Sequence, residues 1–284
     1  MSKILAIVVT YNRLDCLRHC LNALTAQTYK DFDVLVVNNG STDGTGDFLN
    51  GQNYVLVINQ ENLGGAGGFY SGMKYAFEND YDWIWMMDDD GIPENHQLEN
   101  LLSLATRFNF YVLNALVVNK DNHNLFAFGR QEPLSSVNLS ADYLPSPLSP
   151  FNGTFIHRSV IEKIGYIKKE MFIWGDEQEY MARIRNFGYV PYTVPQAIHY
   201  HPREKGIKDY VFPFVKKGVI LIKPKHMSFY YYRNMGYIDV RYKGWVVSMK
   251  HILLYTMYFI RKCQFSELAK FILYYFKGRK NDYR

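Results

Sequence analysis

An alternation in the first hundred residues constrains this chain more than any other feature. Residues 4–9 (ILAIVV), 33–38 (DVLVVN), 54–59 (YVLVIN) and 83–87 (WIWMM) are short apolar runs bounded by polar residues, the pattern of buried strands. Helical spacing lies between them. Leu14, Leu17, Leu21 and Leu24 place a helix over 14–27, and a second helix runs from Gly67 to Asn79, entered through glycines. Strands alternating with helices predict an α/β fold built on a mostly parallel sheet with short crossovers and flanking helices. Ligands of such sheets sit at the carboxyl ends of the strands. Pro93 and Glu94 suit the first turn of a further helix. Beyond it, 110–118 reads as a strand and the Ser- and Pro-rich stretch 131–150 as a loop over the active site. Residues 176–187 read as a helix, and 189–201 as a strand pair or a strand and loop. From about residue 206 the chain becomes aromatic and basic. The organisation expected is therefore a catalytic domain over 1–205 and a helical extension over 206–284.

Charge divides the same way. Residues 1–202 carry 14 Lys and Arg against 22 Asp and Glu, and residues 203–284 carry 18 against 5, so the net charges are −8 and +13. An acidic portion is thus joined to a basic one that attracts anionic surfaces. Hydrophobic residues make up 48% of the chain, which excludes a disordered protein. Three cysteines form neither a disulfide framework nor a zinc set, so a reducing compartment fits, and the opening lacks the marks of a signal peptide.

Four segments carry chemistry. Asp88, Asp89 and Asp90 follow the fourth apolar run directly. Three carboxylates at the end of a central strand repel one another unless a cation joins them, and alternate residues, Asp88 and Asp90, can converge on one Mg²⁺ or Mn²⁺. The segment NLGGAGGF (62–69) puts four glycines in five positions, more than core packing explains. Asn62, Gly64 and Gly65 there let a ligand approach the backbone at a helix N-terminus that favours anions. It is neither a Walker loop nor a dinucleotide fingerprint after the first strand. In WGDEQEY (174–180), Asp176, Glu177 and Glu179 suit the helix dipole, or supply a general base for a hydroxyl. In HYHP (199–202), His199 and His201 point to one face of a strand and could bind metal.

Together with IVVTYNR (7–13), VVNNGSTDGT (36–45) and YYYRNMGY (230–237), these segments resemble glycosyltransferase family 2, with the motifs in the family's order. NLGGAGGF with the Asp triplet is closest in pattern to bacterial galactofuranosyltransferases, whose motifs related rhamnosyltransferases share. The resemblance implies the nucleotide-diphospho-sugar transferase (GT-A) fold and inverting sugar transfer assisted by Mn²⁺ or Mg²⁺. It implies Asp88 and Asp90 as metal ligands, His201 as the third ligand with His199 competing, and Asp89 supporting the donor. The base falls on Glu177, where the family normally has Asp, with Asp176 as alternative. Thr10, Tyr11, Arg13 and Asn39 fall where the family holds the nucleotide; many relatives have Asp in place of Asn39. Trp174 could stack on a sugar or pack in the core.

The implied partners are a nucleotide-sugar donor and a glycan or lipid-linked glycan acceptor, and the implied place is the cytoplasm, peripheral to the inner face of the cell membrane. Residues 245–260 are apolar but shorter than the ~20 residues of a spanning helix, with Lys250 central, so they read as a helix for a membrane surface, a partner or a homo-oligomer. A second helix follows around 266–276. The nearest rival is a rhamnosyltransferase using dTDP-rhamnose. A nucleotidyltransferase is disfavoured because no basic glycine-rich loop follows the first strand, and a nucleic-acid-binding module leaves the acidic triplet unexplained.

Overall fold

A computed structural model describes residues 2–128, 133–145, 151–203, 207–211 and 218–284. The strands are β1 (Ile4–Thr10), β2 (Asp33–Asn38), β3 (Val55–Asn59), β4 (Trp83–Asp88), β5 (Ile92–Pro93), β6 (Val112–Asn119), β7 (Leu144–Pro145), β8 (Thr154–His157), β9 (Tyr192–His201), β10 (Ile207–Tyr210) and β11 (Val219–Ile222). The helices are α1 (Leu14–Thr25), α2 (Thr45–Asn50), α3 (Gly64–Glu78), α4 (Gln97–Phe108), α5 (Arg158–Ile164), α6 (Asp176–Asn186), α7 (Ser228–Ile238), α8 (Trp245–Arg261) and α9 (Phe265–Arg279).

The chain forms two compact units. The first, Met1–Lys169 with Tyr180–Glu204, holds a nine-stranded sheet in the order β3-β2-β1-β4-β8-β6-β9-β5, with β7 also paired to β9. β1 to β4 run parallel, while β8 is antiparallel to both β4 and β6. β6 therefore runs with β4, and β9 runs parallel to β6. Thr10, Asn38, Asp88, Asn119 and His201 consequently end their strands at one edge of the sheet. β1 and β4 are buried throughout their apolar length because helices cover both faces, as the uninterrupted apolar runs require.

Two expectations are corrected and one alternative is settled. Pro93 and Glu94 do not open a helix: Ile92 and Pro93 pair antiparallel with Tyr200 and His199, and the helix begins at Gln97. Residues 189–201 take the second of the two expected forms, three loop residues leading into the strand Tyr192–His201, whose register with β6 slips between Ala115 and Leu116. Of the stretch 131–150, residues 131–132 and 146–150 lie outside the described residues, and the described 133–145 do not all lie at the site. Leu134 packs near Leu116 and Val118, whereas Leu144 pairs with Thr193 at the opposite end of β9 from His201.

The second unit, Glu170–Glu179 with Lys205–Arg284, pairs β10 with β11 and gathers α7, α8 and α9 around Tyr232, Tyr255, Phe259, Phe271 and Tyr275. No helix among the described residues is long and apolar enough to cross a membrane.

Candidate active site

The triplet is a reversal. After Asp88 leaves β4, the Asp89 N–H donates to the Val9 carbonyl and the Gly91 N–H to that of Asp88. The turn delivers the chain to β5, beside the histidines of β9. A Cβ on Gly91 would lie 2.1 Å from His199 Nε2, so glycine here leaves room for the His199 ring. Asp90 thereby meets His201, with 2.9 Å between Oδ1 and Nε2. One ligand atom each from Asp88, Asp90 and His201 lies within 4.8 Å of the others, a set of hard oxygens and one imidazole that fits a divalent ion.

Electrostatics agree with that fit. Desolvation first, and the charge of Asp90 next, push the Asp88 carboxyl up to about 7. Desolvation pushes Asp89 up to about 6 although it accepts from Thr10 Oγ1 at 2.7 Å and from Arg13. Asp90, against the same desolvation, is held below its usual value by His201 and Arg13. Arg13 spans the cluster at 2.7 Å from Asp90 and 3.2 Å from Asp89. His201 shares a 2.7 Å hydrogen bond between Nδ1 and the Pro202 carbonyl. As donor there, Nδ1 leaves Nε2 to face the acids, the outer partner a metal-binding imidazole needs.

His199 is a different kind of histidine. It is fully buried, its Nδ1 lies 3.3 Å from Gln97 Oε1, and its Nε2 has no hydrogen-bond partner among the described residues. Burial first, then His201, push it down to about 3, so it stays neutral. It stands outside the acid cluster.

The glycine segment has mixed causes. Added Cβ atoms would meet Leu63 Cβ at 2.3 Å from Gly67, and Val9 Cγ1 at 2.4 Å from Gly68, so packing explains both, contrary to expectation. Gly64 has φ +71°, which favours glycine. A Cβ on Gly65 would meet nothing within 4 Å, so neither packing nor strain demands that glycine. Asn62 Oδ1 accepts the Gly64 N–H at 2.9 Å. Asn39 binds the same loop: its Nδ2 donates to the Gly64 carbonyl, and its Oδ1 accepts from Gln60 and the Leu63 N–H. Its buried amide is thus spent on shaping this loop, while Tyr11 is exposed.

In the second unit, Trp174 and Phe172 have φ values of +61° and +64°, conformations that non-glycine residues rarely adopt. The buried Asn234 explains how they persist. Its amide lies 2.9–3.0 Å from the carbonyls of Met171, Ile173 and Trp174, and Arg233 donates to that of Glu170. This clamp presents α6, whose first turn holds Asp176, Glu177 and Glu179. Asp176 is buried; Glu177 is half-buried and accepts the Gly175 N–H at 3.2 Å. Glu179 is buried and accepts from Tyr242. The half-buried Trp174 ring carries Lys223 Nζ 4.8 Å from its centre. Sequence reasoning misses the clamp; its one signal is the Arg233-Asn234 pair inside the YYYRNMGY motif.

A parallel-dominated sheet with a carboxylate–imidazole cluster at its carboxyl edge and a glycine-entered helix beside it is the build of a GT-A glycosyltransferase. Solved structures of that fold match it. S. aureus TarS 1-349 in complex with UDP-GlcNAc aligns over 97% of this chain and 81% of its own, at TM-score 0.63 and 17% identity. The mannosyltransferase PcManGT from Pyrobaculum calidifontis, in complex with GDP-Man and Mn²⁺, covers 82% of this chain and 61% of its own, at TM-score 0.56 and 17% identity. The chain belongs to glycosyl transferase family 2, whose profile matches residues 5–165. It is 32% identical over 255 residues to the galactofuranosyltransferase GlfT1 of Mycobacterium tuberculosis (strain CDC 1551 / Oshkosh), covering 84% of this chain and 82% of the relative.

Proposed function

We propose that this glycosyltransferase moves a galactofuranosyl residue from UDP-galactofuranose to a hydroxyl of a cell-surface or lipid-linked glycan, with inversion at the anomeric carbon. The convergence of Asp88, Asp90 and His201 is the observation that carries the chemistry. The GlfT1 relative supports the sugar, and the nucleotide-sugar and Mn²⁺ complexes of the structural neighbours support the donor class and the ion. Three unpaired cysteines suit work in the cytoplasm.

Asp88, Asp90 and His201 would hold Mn²⁺ or Mg²⁺, which when bound supplies positive charge to the departing nucleotide diphosphate. Asp89, fixed by Thr10 and Arg13, lines the donor side of the cluster. Gly65 gives the donor room at the start of α3, where free N–H groups favour phosphate, and Asn39 and Asn62 keep that loop in shape. Glu177 is the base: it is the less buried of the two neighbouring acids, as a group that must meet an incoming hydroxyl requires. It takes the hydroxyl proton. The acceptor oxygen then bonds to the anomeric carbon as the carbon–phosphate oxygen bond breaks, and that electron pair leaves with UDP.

A donor panel with Mn²⁺ tests this reading. UDP release from UDP-galactofuranose, with galactofuranose found on the acceptor, is the expected result. Preference for dTDP-rhamnose would overturn the sugar. Pyrophosphate release from nucleoside triphosphates would overturn the transfer chemistry.

A further inference from the structure

Helices α8 and α9 are apolar on two sides. One side of each builds the core of its unit: Tyr255, Tyr258 and Phe259 from α8, and Phe271 and Tyr275 from α9. A helix that has buried this side ordinarily presents polar residues on the other. Here the other side carries Trp245, Met249 and Leu253, exposed at 76%, 55% and 58%, and on α9 Phe265, Leu273 and Phe276, exposed at 62%, 54% and 43%. At 3.6 residues per turn, the three of α8 and Ile260 fall within about 80° of arc, and those of α9 form a matching stripe. Helices apolar all round belong in a core or a membrane, yet neither is long and apolar enough to cross one.

The charges beside the stripes decide between occupants. Lys250 and Arg261 lie along one side of the stripe of α8, and Lys277 and Lys280 lie beside that of α9, while Lys270 is paired with Glu267. Residues 203–284 hold 18 basic against 5 acidic side chains. A second copy seated face to face would set basic rim against basic rim, which repels. An anionic lipid surface neutralises the rim and takes up the apolar stripe, with Trp at the depth where that ring is favoured. We propose that the outward stripes of α8 and α9 form a docking surface for an anionic lipid bilayer, on which the protein lies without crossing. This deepens the membrane side of the proposed function, because it brings the enzyme to the surface where a lipid-linked acceptor resides.

The test is sedimentation of the full chain with large vesicles, run without donor or acceptor so that its result is independent of sugar transfer. Vesicles containing phosphatidylglycerol should carry the protein down, and vesicles of phosphatidylcholine alone far less. Leu253→Glu with Phe276→Glu should weaken binding at least roughly tenfold, and Lys250→Glu with Lys277→Glu by a similar factor that salt also produces. Lys250, Leu253 and Phe276 are exposed and Lys277 is half-buried with its Nζ on the Arg284 carbonyl, and an unchanged melting temperature will show that the variants fold. Failure to bind phosphatidylglycerol vesicles would overturn the proposal. So would a dimer, detected by light scattering, that the Leu253→Glu, Phe276→Glu variant converts to monomer.

Discussion

Neighbouring residues of identical type have unlike work in this chain. His199 and His201 share a strand face, but one meets Gln97 and the glycine of a turn while the other meets Asp90. Because His199 is held neutral down to about 3, below the ordinary histidine value, the unfolded chain takes up a proton there before the folded one does. Its contribution therefore makes stability fall as pH drops from about 6.5 towards 3. His199→Gln should flatten that limb of a denaturation-versus-pH curve; an unchanged limb would place the titration elsewhere. The glycines of α3 divide in the same manner. Gly68→Ala should cost about 1–3 kcal/mol, since its Cβ would drive into Val9. Gly65→Ala should leave stability unchanged or raise it by up to ~1 kcal/mol, while weakening donor binding. Thermal melts and donor titrations of the pair separate packing from recognition, and equal loss of stability in both would contradict the assignment.

Among the elements, those with a periodic pattern are legible in the sequence and those made by distant contacts are not. β1 to β4 with α1 and α3 follow from apolar runs and helical spacing, whereas the short α2 does not, and Asp88 falls at a strand end on sequence alone. β5 does not follow: two residues have no period, and Pro93 suits a helix start as well as an edge strand. Yet that short antiparallel turn is what brings Asp90 to His201. The glycine run misleads, because the side chains opposing Gly67 and Gly68 are known only once α3 lies on β1. The Asn234 clamp escapes for the same reason, its partners lying some 60 residues away. On the proposed reading this clamp positions the loop that leads to Glu177. Asn234→Ala should lower kcat by about 10- to 100-fold while the donor KM holds within about twofold, since a displaced base slows chemistry without loosening the donor. A rise in donor KM with kcat preserved would make Asn234 a residue of the donor pocket instead.

Taken whole, the molecule has a sheet-bearing unit and a helical one, and the helical one takes in residues 170–179 with their four acids, which the net charges of residues 1–202 and 203–284 assign to the other side. Family membership and fold rest on the profile match, the relative and the structural neighbours, and sugar transfer follows from them. The ion is the part most open to direct test. A group that binds the folded state alone stabilises it by RT ln(1 + [L]/Kd), about 2.7 kcal/mol at a hundredfold excess over Kd. Mn²⁺ should therefore raise the melting temperature of the wild type in proportion to the logarithm of its concentration, and EDTA should reverse the rise.

The most direct measurement is Mn²⁺-dependent UDP release from UDP-galactofuranose by the wild type, Asp90→Ala, His201→Ala and His199→Ala, with Mn²⁺ binding followed by calorimetry in each. Asp90→Ala and His201→Ala should lose both binding and turnover by at least about 100-fold, whereas a folded His199→Ala should keep Mn²⁺ affinity near that of the wild type. Turnover that survives in Asp90→Ala, or Mn²⁺ affinity that follows His199 instead of His201, would contradict the assignment of the metal site.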